Sequence, residues 1–234
     1  MGQDEALLRS AVYAPAYTVT EASRIAKLTP WRTRRWLRGY EYSYLVARGS
    51  EARRGRMPPV VRRDQAPGRT YASFLELVDL LFVKRFLEQG VSLQKLRRAF
   101  DEVVQRLGEP HFAYEVFFTE GSNVYWEHQD SIIRLLSGGQ TAIRRIVEDL
   151  YERIEFDPET RIARRYYPLG KRIPVAVDVL VAFGRPAIVG RGITTANVFD
   201  LFNGENEDLA ATSSWMGITK REARAAIEFE RQLA

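Results

Sequence analysis

The sequence predicts an α+β fold that is mainly α-helical. We expect an N-terminal winged helix-turn-helix, a central β-hairpin region and a C-terminal domain of three helices that is itself helix-turn-helix-like. Three observations lead there: apolar stripes at helical spacing recur along the 234 residues, prolines and glycines mark abrupt helix ends, and two segments alternate aromatic with polar side chains as strands do.

The composition is that of an ordinary folded chain, 45% hydrophobic and 28% charged. No run approaches the roughly 20 apolar residues that a membrane helix needs, and the start MGQDEALLRS lacks a signal-peptide layout, so we expect a cytoplasmic protein without membrane contact. The absence of cysteine excludes zinc fingers and thiol catalysis. His111 and His128 lie in no catalytic or ligand motif. We therefore expect a protein that is not an enzyme and uses no metal or cofactor.

Positive charge is concentrated in one part of the chain. Residues 24–69 hold 13 Lys and Arg against three acidic residues, a balance of +10 within a net charge of +5. A region this basic is typical of a polyanion site, because neutralised phosphates release counterions. A solvated arginine-rich loop is the alternative. We favour nucleic acid because the charge lies beside a helix-turn-helix pattern.

That pattern spans Thr20 to Arg38. Thr20 is the expected N-cap of a first helix, whose apolar stripe is formed by Ala22, Ile25 and Ala26. Thr29 followed by Pro30 predicts the abrupt start of a second helix after a tight turn. Two short helices joined in this way form a helix-turn-helix.

The second helix has an apolar and a basic face. Thr33, Trp36 and Leu37 share the inward face. We expect the opposite face to contact DNA, with Arg34 and Arg35 in the groove and Arg32 and Arg38 on phosphates. Trp31 either contacts DNA or covers the domain core, and we favour the core. The predicted DNA-binding residues are Thr29, Trp31, Arg32, Arg34, Arg35, Arg38, Arg53, Arg54 and Arg56.

A hairpin is expected after Gly39. The run YEYSYLV reads as its first strand, ARGSEARRGRMPP as a basic tip and VVRR as the return strand. Such a wing would carry the arginines of the tip to an adjacent groove or to the backbone. A loop that merely carries charge is an equal alternative.

Two longer helices are predicted next. The segment from Ser73 to Gly90 is apolar on more than one side, and a second helix from Ser92 presents Leu96 and Phe100 on one face. This wide apolar surface favours a core shared with a second copy, and hence a homodimer. The alternative is an intramolecular helical hairpin.

The rest of the chain, from residue 107 onward, is less basic. A β-hairpin is expected over His111 to Tyr125 and a helix over Ala142 to Ile154, in a stretch where residues 107–163 carry 11 acidic residues against five arginines. Three helices follow, at about 195–202, 207–216 and 219–233, the last with a Thr219/Glu222 capping box. Because residues 194–234 hold seven acidic and four basic residues, we expect them to bind protein rather than DNA.

These segments support a comparison with known families. TVTEASRIAKLTPWRTRRWLRGY followed by FLELVDLLFVKRFLEQGVSLQKLRRAF resembles the MerR-like winged helix-turn-helix with its paired helices, although the long arginine-rich wing departs from that pattern. The tail from VDVLVAFGRPAIVGRGITT onward resembles the trihelical domain of antitoxins that pair with PIN-domain ribonucleases. Together the two halves resemble VapB-like antitoxins of type II toxin-antitoxin modules.

The resemblance implies an antitoxin that represses its own operon through operator DNA and sequesters a VapC-like PIN-domain toxin. It implies a homodimer and a toxin-antitoxin hetero-oligomer. PIN nucleases hold Mg²⁺ in carboxylates, so an inserted arginine could occupy that anionic site. Arg185 and Arg191 are the candidates. The alternative is that each stabilises its own loop.

Three domains follow from this interpretation: residues 1–106 for DNA binding and dimerisation, 107–176 as a connecting α+β region, and 177–234 for toxin binding. The alternative function is a stand-alone MerR-like regulator whose later part senses a ligand, with aromatic residues of the central hairpin lining the pocket. Those residues are Tyr114, Phe117, Tyr125 and Trp126.

Overall fold

The computed structural model describes residues 3–45, 51–61, 71–107, 111–113 and 148–233. Its elements are α1 (Gln3–Tyr13), β1 (Tyr17–Thr18), α2 (Val19–Ala26), α3 (Pro30–Arg38), β2 (Tyr40–Leu45), β3 (Ala52–Met57), β4 (Tyr71–Ala72), α4 (Phe74–Glu88), α5 (Leu93–Leu107), β5 (Ile154–Phe156), β6 (Ala163–Tyr166), β7 (Val175–Asp178), β8 (Pro186–Ile188), α6 (Thr195–Gly204), α7 (Leu209–Met216) and α8 (Lys220–Leu233), with a 3₁₀ turn at Ala182–Gly184. The fold is α+β and mainly helical.

The described chain divides into two compact units. One comprises residues 17–112, and the other combines residues 3–16, Ala113 and residues 148–233. The first helix, α1, thus belongs to the second unit, where Leu8 and Val12 are buried. The boundary expected between residues 176 and 177 lies inside β7. The three-part division remains a prediction.

In the first unit, α2 and α3 are joined by a tight turn. The N-cap of α2 is Thr18 rather than Thr20, because the Thr18 hydroxyl accepts from the Glu21 backbone N–H while Glu21 accepts from the Thr18 backbone N–H, completing a capping box. Lys27 takes a left-handed conformation at φ 52° and turns the chain. Thr29 caps α3 and Pro30 is its first residue, as predicted.

The predicted hairpin is present, with a different return strand. β2 and β3 pair antiparallel from Tyr40↔Met57 to Leu45↔Ala52. The return strand is therefore the arginine-rich segment, not the expected VVRR. Val60 and Val61 are buried instead, and their backbone N–H groups donate to the Trp36 carbonyl at 2.8 and 3.1 Å. Burying these two apolar side chains in the core stabilises the fold more than exposing them on a strand would.

The core of this unit is built around α4. Ser73 caps it through a capping box with Glu76, and eleven of its fifteen residues are buried, so it is enclosed on several sides as expected. On α5, Leu96, Ala99 and Phe100 face inward. The short strands β1 and β4 pair antiparallel and contact α2.

Much of the apolar surface that predicted a homodimer is buried within a single chain. Leu77, Leu80 and Phe86 on α4 and Phe100 on α5 are each at most 1% exposed. Side chains already removed from water gain nothing further from a second copy. Val104, further along α5, is however 37% exposed, and the homodimer stays a prediction.

The second unit contains a four-stranded antiparallel sheet in the order β5-β6-β7-β8. The segment 148–151 is helical and Ile154 begins β5, so the helix predicted to reach Ile154 ends earlier. Helices α6, α7 and α8 agree with the prediction, and Thr219 and Glu222 form the expected capping box. Their core is closed by Val198, Phe202, Ala226 and Ile227 packed with Ile188 of the sheet.

Some predicted features lie outside the described residues. These are all but the first three residues of the hairpin expected over His111 to Tyr125, most of the helix expected from Ala142, His128 and the four aromatic residues of the proposed ligand pocket. Among the described helices, none is long and apolar enough to cross a membrane.

Candidate functional sites

Helix α3 separates an apolar from a basic face, as predicted. Thr33, Trp36 and Leu37 are buried. Arg32 and Arg34 are exposed, and Arg38 is half-buried in the last turn. The exposed guanidinium groups are available to phosphates or to base edges.

The start of α3 is fixed by its cap. The Thr29 side chain is exposed and accepts from the Arg32 backbone N–H at 3.3 Å. Pro30 sets the first helical residue, where its missing N–H has no cost. The first turn therefore has a defined direction with Arg32 on its outer side.

Arg35 lies between two aromatic rings. Its guanidinium carbon is 4.2 Å from the Trp31 ring centre and 3.1 Å from the Tyr40 ring centre. Trp31 is 63% exposed, so the prediction that it covers the core is wrong. A cation held between two rings is positioned more tightly than a free arginine, which links α3 to β2.

The hairpin has two chemically different faces. Because partners in a ladder point to the same side, Tyr42 and Tyr44 share a face with Arg53, while Arg54 and Arg56 project from the opposite face. Tyr40, Tyr42 and Tyr44 form a row with ring centres 6.2 and 5.8 Å apart. Gly55 leaves room for the Tyr42 ring. The three arginines expected at a loop tip are thus held in a strand.

Two cations that sequence reasoning missed hold these elements in place. Lys84 of α4 donates to the Ala26 carbonyl at 3.1 Å, at the end of α2, and burial lowers the pKa of Lys84. Arg97 of α5 donates to the Pro58 carbonyl at 3.0 and 3.3 Å, and burial lowers the pKa of Arg97. The partners are 58 and 39 residues apart, so no local pattern could reveal them.

A cleft of about 990 Å³ opens between α3, α4 and α5. Aromatic rings and cations both line it. Its lining includes Lys27, Trp31, Arg32, Arg35, Tyr40, Lys84 and Arg97, with Glu88 as the acidic member. The cleft extends the basic character of α3 toward the helices that support it.

The buried pair Asp79–His111 is structural, as expected for His111. Its Nδ1 lies 2.5 Å from the Asp79 carboxylate, which also accepts from the Phe112 backbone N–H at 2.8 Å. Burial, the largest influence, raises the pKa of Asp79. The pair fixes Phe112 against Phe100, with ring centres 4.3 Å apart, inside the core.

The two arginines proposed for a protein partner differ in their surroundings. Arg191 lies in the turn after β8 and its Nε is 3.3 Å from the Glu222 carboxylate of α8. Arg185 is exposed and follows the 3₁₀ turn at Ala182–Gly184. Within the described residues it forms no ion pair. Arg191 is thus paired within its own unit, whereas the Arg185 charge is unpaired in the described part of the chain, and the role of either in binding a partner stays a prediction.

The whole chain is similar to one curated protein. It is 24% identical over 241 residues, covering 97% of this chain and 98% of the other, to a Mycobacterium tuberculosis protein named "Putative antitoxin VapB45". A crystal structure of Rv2018 from the same organism matches the fold with a TM-score of 0.62 at 22% identity, covering 92% of this chain and 98% of that one.

A shorter segment has higher similarity. Over 92 residues the chain is 36% identical to uncharacterized HTH-type transcriptional regulators of M. tuberculosis and Mycobacterium bovis, which covers 38% of this chain and 40% of theirs. No known protein-family model matches the chain. The chain is therefore distantly homologous to a protein named as a VapB antitoxin and to HTH-type regulators.

Proposed function

We propose that this protein is an antitoxin that binds operator DNA through α3 and neutralises a PIN-domain ribonuclease. The observation that carries the proposal is the exposed arginine face of α3, in a chain that is similar from end to end to a protein named as an antitoxin. The DNA-binding part is a MerR-like winged helix-turn-helix, with α2 and α3 as the helix pair and β2–β3 as the wing.

In this arrangement α3 is the recognition helix. Arg34 reads a guanine edge in the major groove, while Arg32 and Arg38 contact phosphates. Arg35, stacked between Trp31 and Tyr40, orients the helix relative to the wing. The wing places Arg54 and Arg56 on the flanking backbone. A homodimer would read inverted half-sites about one helical turn apart.

Arg34→Ala tests the recognition helix. We expect it to weaken operator binding by about 1–3 kcal/mol for each base interaction that it removes, and to relax specificity at one base pair. Because Arg34 is exposed, the free energy of unfolding should stay unchanged. Fluorescence anisotropy with operator and scrambled duplexes measures both affinities.

Arg98→Ala, which removes an exposed charge from α5 of the same unit, is the matched control. It should leave the ratio of operator to scrambled affinity unchanged. If Arg34→Ala also leaves that ratio unchanged, α3 is not the recognition helix.

The second unit is the proposed toxin-binding part, because its residues 194–234 hold seven acidic against four basic residues and this charge disfavours DNA. The test is co-expression with the protein encoded by the adjacent gene. That protein should stop growth when expressed alone, and this chain should restore growth and co-purify with it. If the neighbour neither arrests growth nor binds, the toxin part of the proposal fails and the DNA-binding part stands.

A second candidate is a stand-alone regulator whose later part senses a ligand. One observation favours it. The chain is 36% identical to the HTH-type regulators over 92 residues, which is higher than its 24% identity to the antitoxin over 241 residues. In that case operator affinity would respond to a small molecule, and the neighbouring gene would encode an enzyme or a transporter.

A further inference from the structure

The loop between β7 and β8, residues 179–185, presents an aromatic ring to solvent. Phe183 is 92% exposed and Leu180 in the same loop is 46% exposed. A phenylalanine ring has no polar group that could compensate for this exposure, and burying one contributes about 1.5–3 kcal/mol. The tip of the loop therefore carries solvent-exposed apolar surface that a partner could bury.

The loop is nevertheless ordered by hydrogen bonds. Leu180 N–H donates to the Asp178 side chain at 2.9 Å, and Val181 N–H donates to the Asp178 carbonyl at 3.1 Å. Gly184 and Arg185 donate to the Val181 and Ala182 carbonyls at 3.0 and 3.1 Å. A loop fixed in this way loses little conformational entropy when it binds.

Its conformation is also strained. Ala182 and Phe183 both have positive φ, 50° and 55°, where residues with a Cβ are disfavoured. Each such residue costs on the order of 1 kcal/mol or more, and strain of this kind clusters at ligand clamps and switch regions. The backbone thus holds the Phe183 ring outward against its own local preference.

An ion-pair network supports the base of the loop. Arg165 of β6 contacts the Asp178 carboxylate with its Nε at 2.6 Å and the Glu155 carboxylate of β5 with Nη1 at 3.0 Å. Tyr167 donates to the same Glu155 at 2.7 Å. Because Asp178 also holds Leu180, the network ties the loop to three strands of the sheet.

Charge next to the ring indicates what the loop can bind. Arg185 lies two residues from Phe183, is exposed, and has no ion-pair partner in the described part of the chain. Asp178 and Glu155, the acidic groups at the base of the loop, are already paired with Arg165. The surface around the ring is therefore apolar with an uncompensated positive charge.

We propose that the β7–β8 loop is the anchor by which this protein binds its toxin, with Phe183 filling an apolar pocket on the toxin and Arg185 facing carboxylates at that pocket's rim. The inference rests on the proposed antitoxin function. A buried aromatic side chain accompanied by arginine is the composition that dominates protein interfaces. Arg191 is not part of the anchor, because Glu222 already neutralises it.

The test measures binding of the purified toxin, encoded by the adjacent gene, to the full chain by titration calorimetry. Phe183→Ala should raise Kd by about 30-fold or more, as expected for removal of an anchoring aromatic residue. Phe183→Gly should weaken binding at least as much while unfolding at the same or higher temperature, since glycine relieves the positive φ. That pair of results separates a missing anchor from a misfolded loop.

Trp215→Ala is the matched control, because Trp215 is also an exposed aromatic residue of this unit, at 75%, but lies on α7. It should leave Kd within about twofold. If the wild-type chain binds the toxin and the Phe183 variants bind it with the same affinity, the anchor proposal is wrong. It is also wrong if Trp215→Ala loses as much affinity as they do. In both cases the proposed antitoxin function stands. If the wild-type chain does not bind the toxin, the proposed function fails and the anchor fails with it.

Discussion

Single residues decide how the recognition helix connects to the wing. Gly39 is the single residue between α3 and β2, and it has φ 73° and ψ −168°, a region that essentially only glycine occupies. A Cβ at this position would overlap the Met57 carbonyl oxygen and touch Pro58 and Pro59. The turn that sets the hairpin against α3 therefore requires this residue.

Gly39→Ala should be strongly destabilising. We expect the free energy of unfolding, measured in urea, to fall by about 3 kcal/mol, because backbone strain and steric overlap act together. Gly90→Ala is the control, since Gly90 also has positive φ, 81°, but a Cβ there meets no atom within 4 Å. It should cost about 1 kcal/mol. Equal losses of stability would show that the overlap with Met57 is relieved at no cost.

At the scale of elements, reciprocal caps determine where helices start. Helices α2 and α4 each begin at a hydroxyl N-cap that accepts from the backbone N–H of an N3 glutamate, whose carboxylate accepts in return from the N-cap backbone N–H. Thr219 and Glu222 form the same capping box at the start of α8. The hydrogen bond from the Thr219 backbone N–H, opposed by a smaller desolvation effect, lowers the pKa of Glu222 below its ordinary value near 4.5. Arg191 at 3.3 Å acts in the same direction.

The stability of α8 should consequently depend on pH. A carboxyl whose pKa is depressed in the folded state stabilises the fold above its unfolded pKa, and this contribution is lost as pH falls through the folded pKa. Below pH 4.5 the wild-type melting temperature should fall more steeply than that of Glu222→Gln, which keeps an acceptor without the charge. Above pH 6 the variant should be less stable by about 0.5–1 kcal/mol.

Glu228→Gln, an exposed position on the same helix, is the control for removal of a carboxylate. It should follow the wild-type curve between pH 3 and pH 7. Identical acid profiles for wild type and Glu222→Gln would contradict a role for the cap in pH-dependent stability.

At the scale of the whole molecule, charge is divided between the two units. The described Lys and Arg of residues 24–69 lie on α2, on α3, in the turn between them or on β3 of the hairpin, all in the first unit, whereas residues 194–234 are acidic. This separation of charge suits a protein that binds a nucleic acid with one surface and another protein with a second surface. The basic surface attracts phosphates at long range, and the acidic surface does not compete for them.

DNA affinity should therefore be strongly salt-dependent. With about six phosphate contacts, affinity would fall about 10³-fold between 50 and 200 mM salt. Replacing both Arg54 and Arg56 by alanine should reduce the slope of log K against log salt by about two, equally for operator and unrelated DNA. An unchanged slope would mean that this face of the hairpin does not touch the backbone.

The local features of this protein follow from patterns in its amino-acid sequence. The Thr29–Pro30 start of α3, its inward face of Thr33, Trp36 and Leu37, and the three C-terminal helices with the Thr219 cap all follow from patterns within a few residues. Hydrophobic spacing and capping chemistry act at that range, so a single sequence carries them.

The features that join residues far apart in the chain depend on tertiary packing. It buried Val60 and Val61 and made the arginine-rich segment the return strand, covered α4 within one chain, and distinguished exposed Arg185 from paired Arg191. It also placed Arg35 between Trp31 and Tyr40 and left Phe183 in solvent. Such outcomes depend on which apolar surfaces meet and which charges find a partner, and spacing along the chain does not encode that choice.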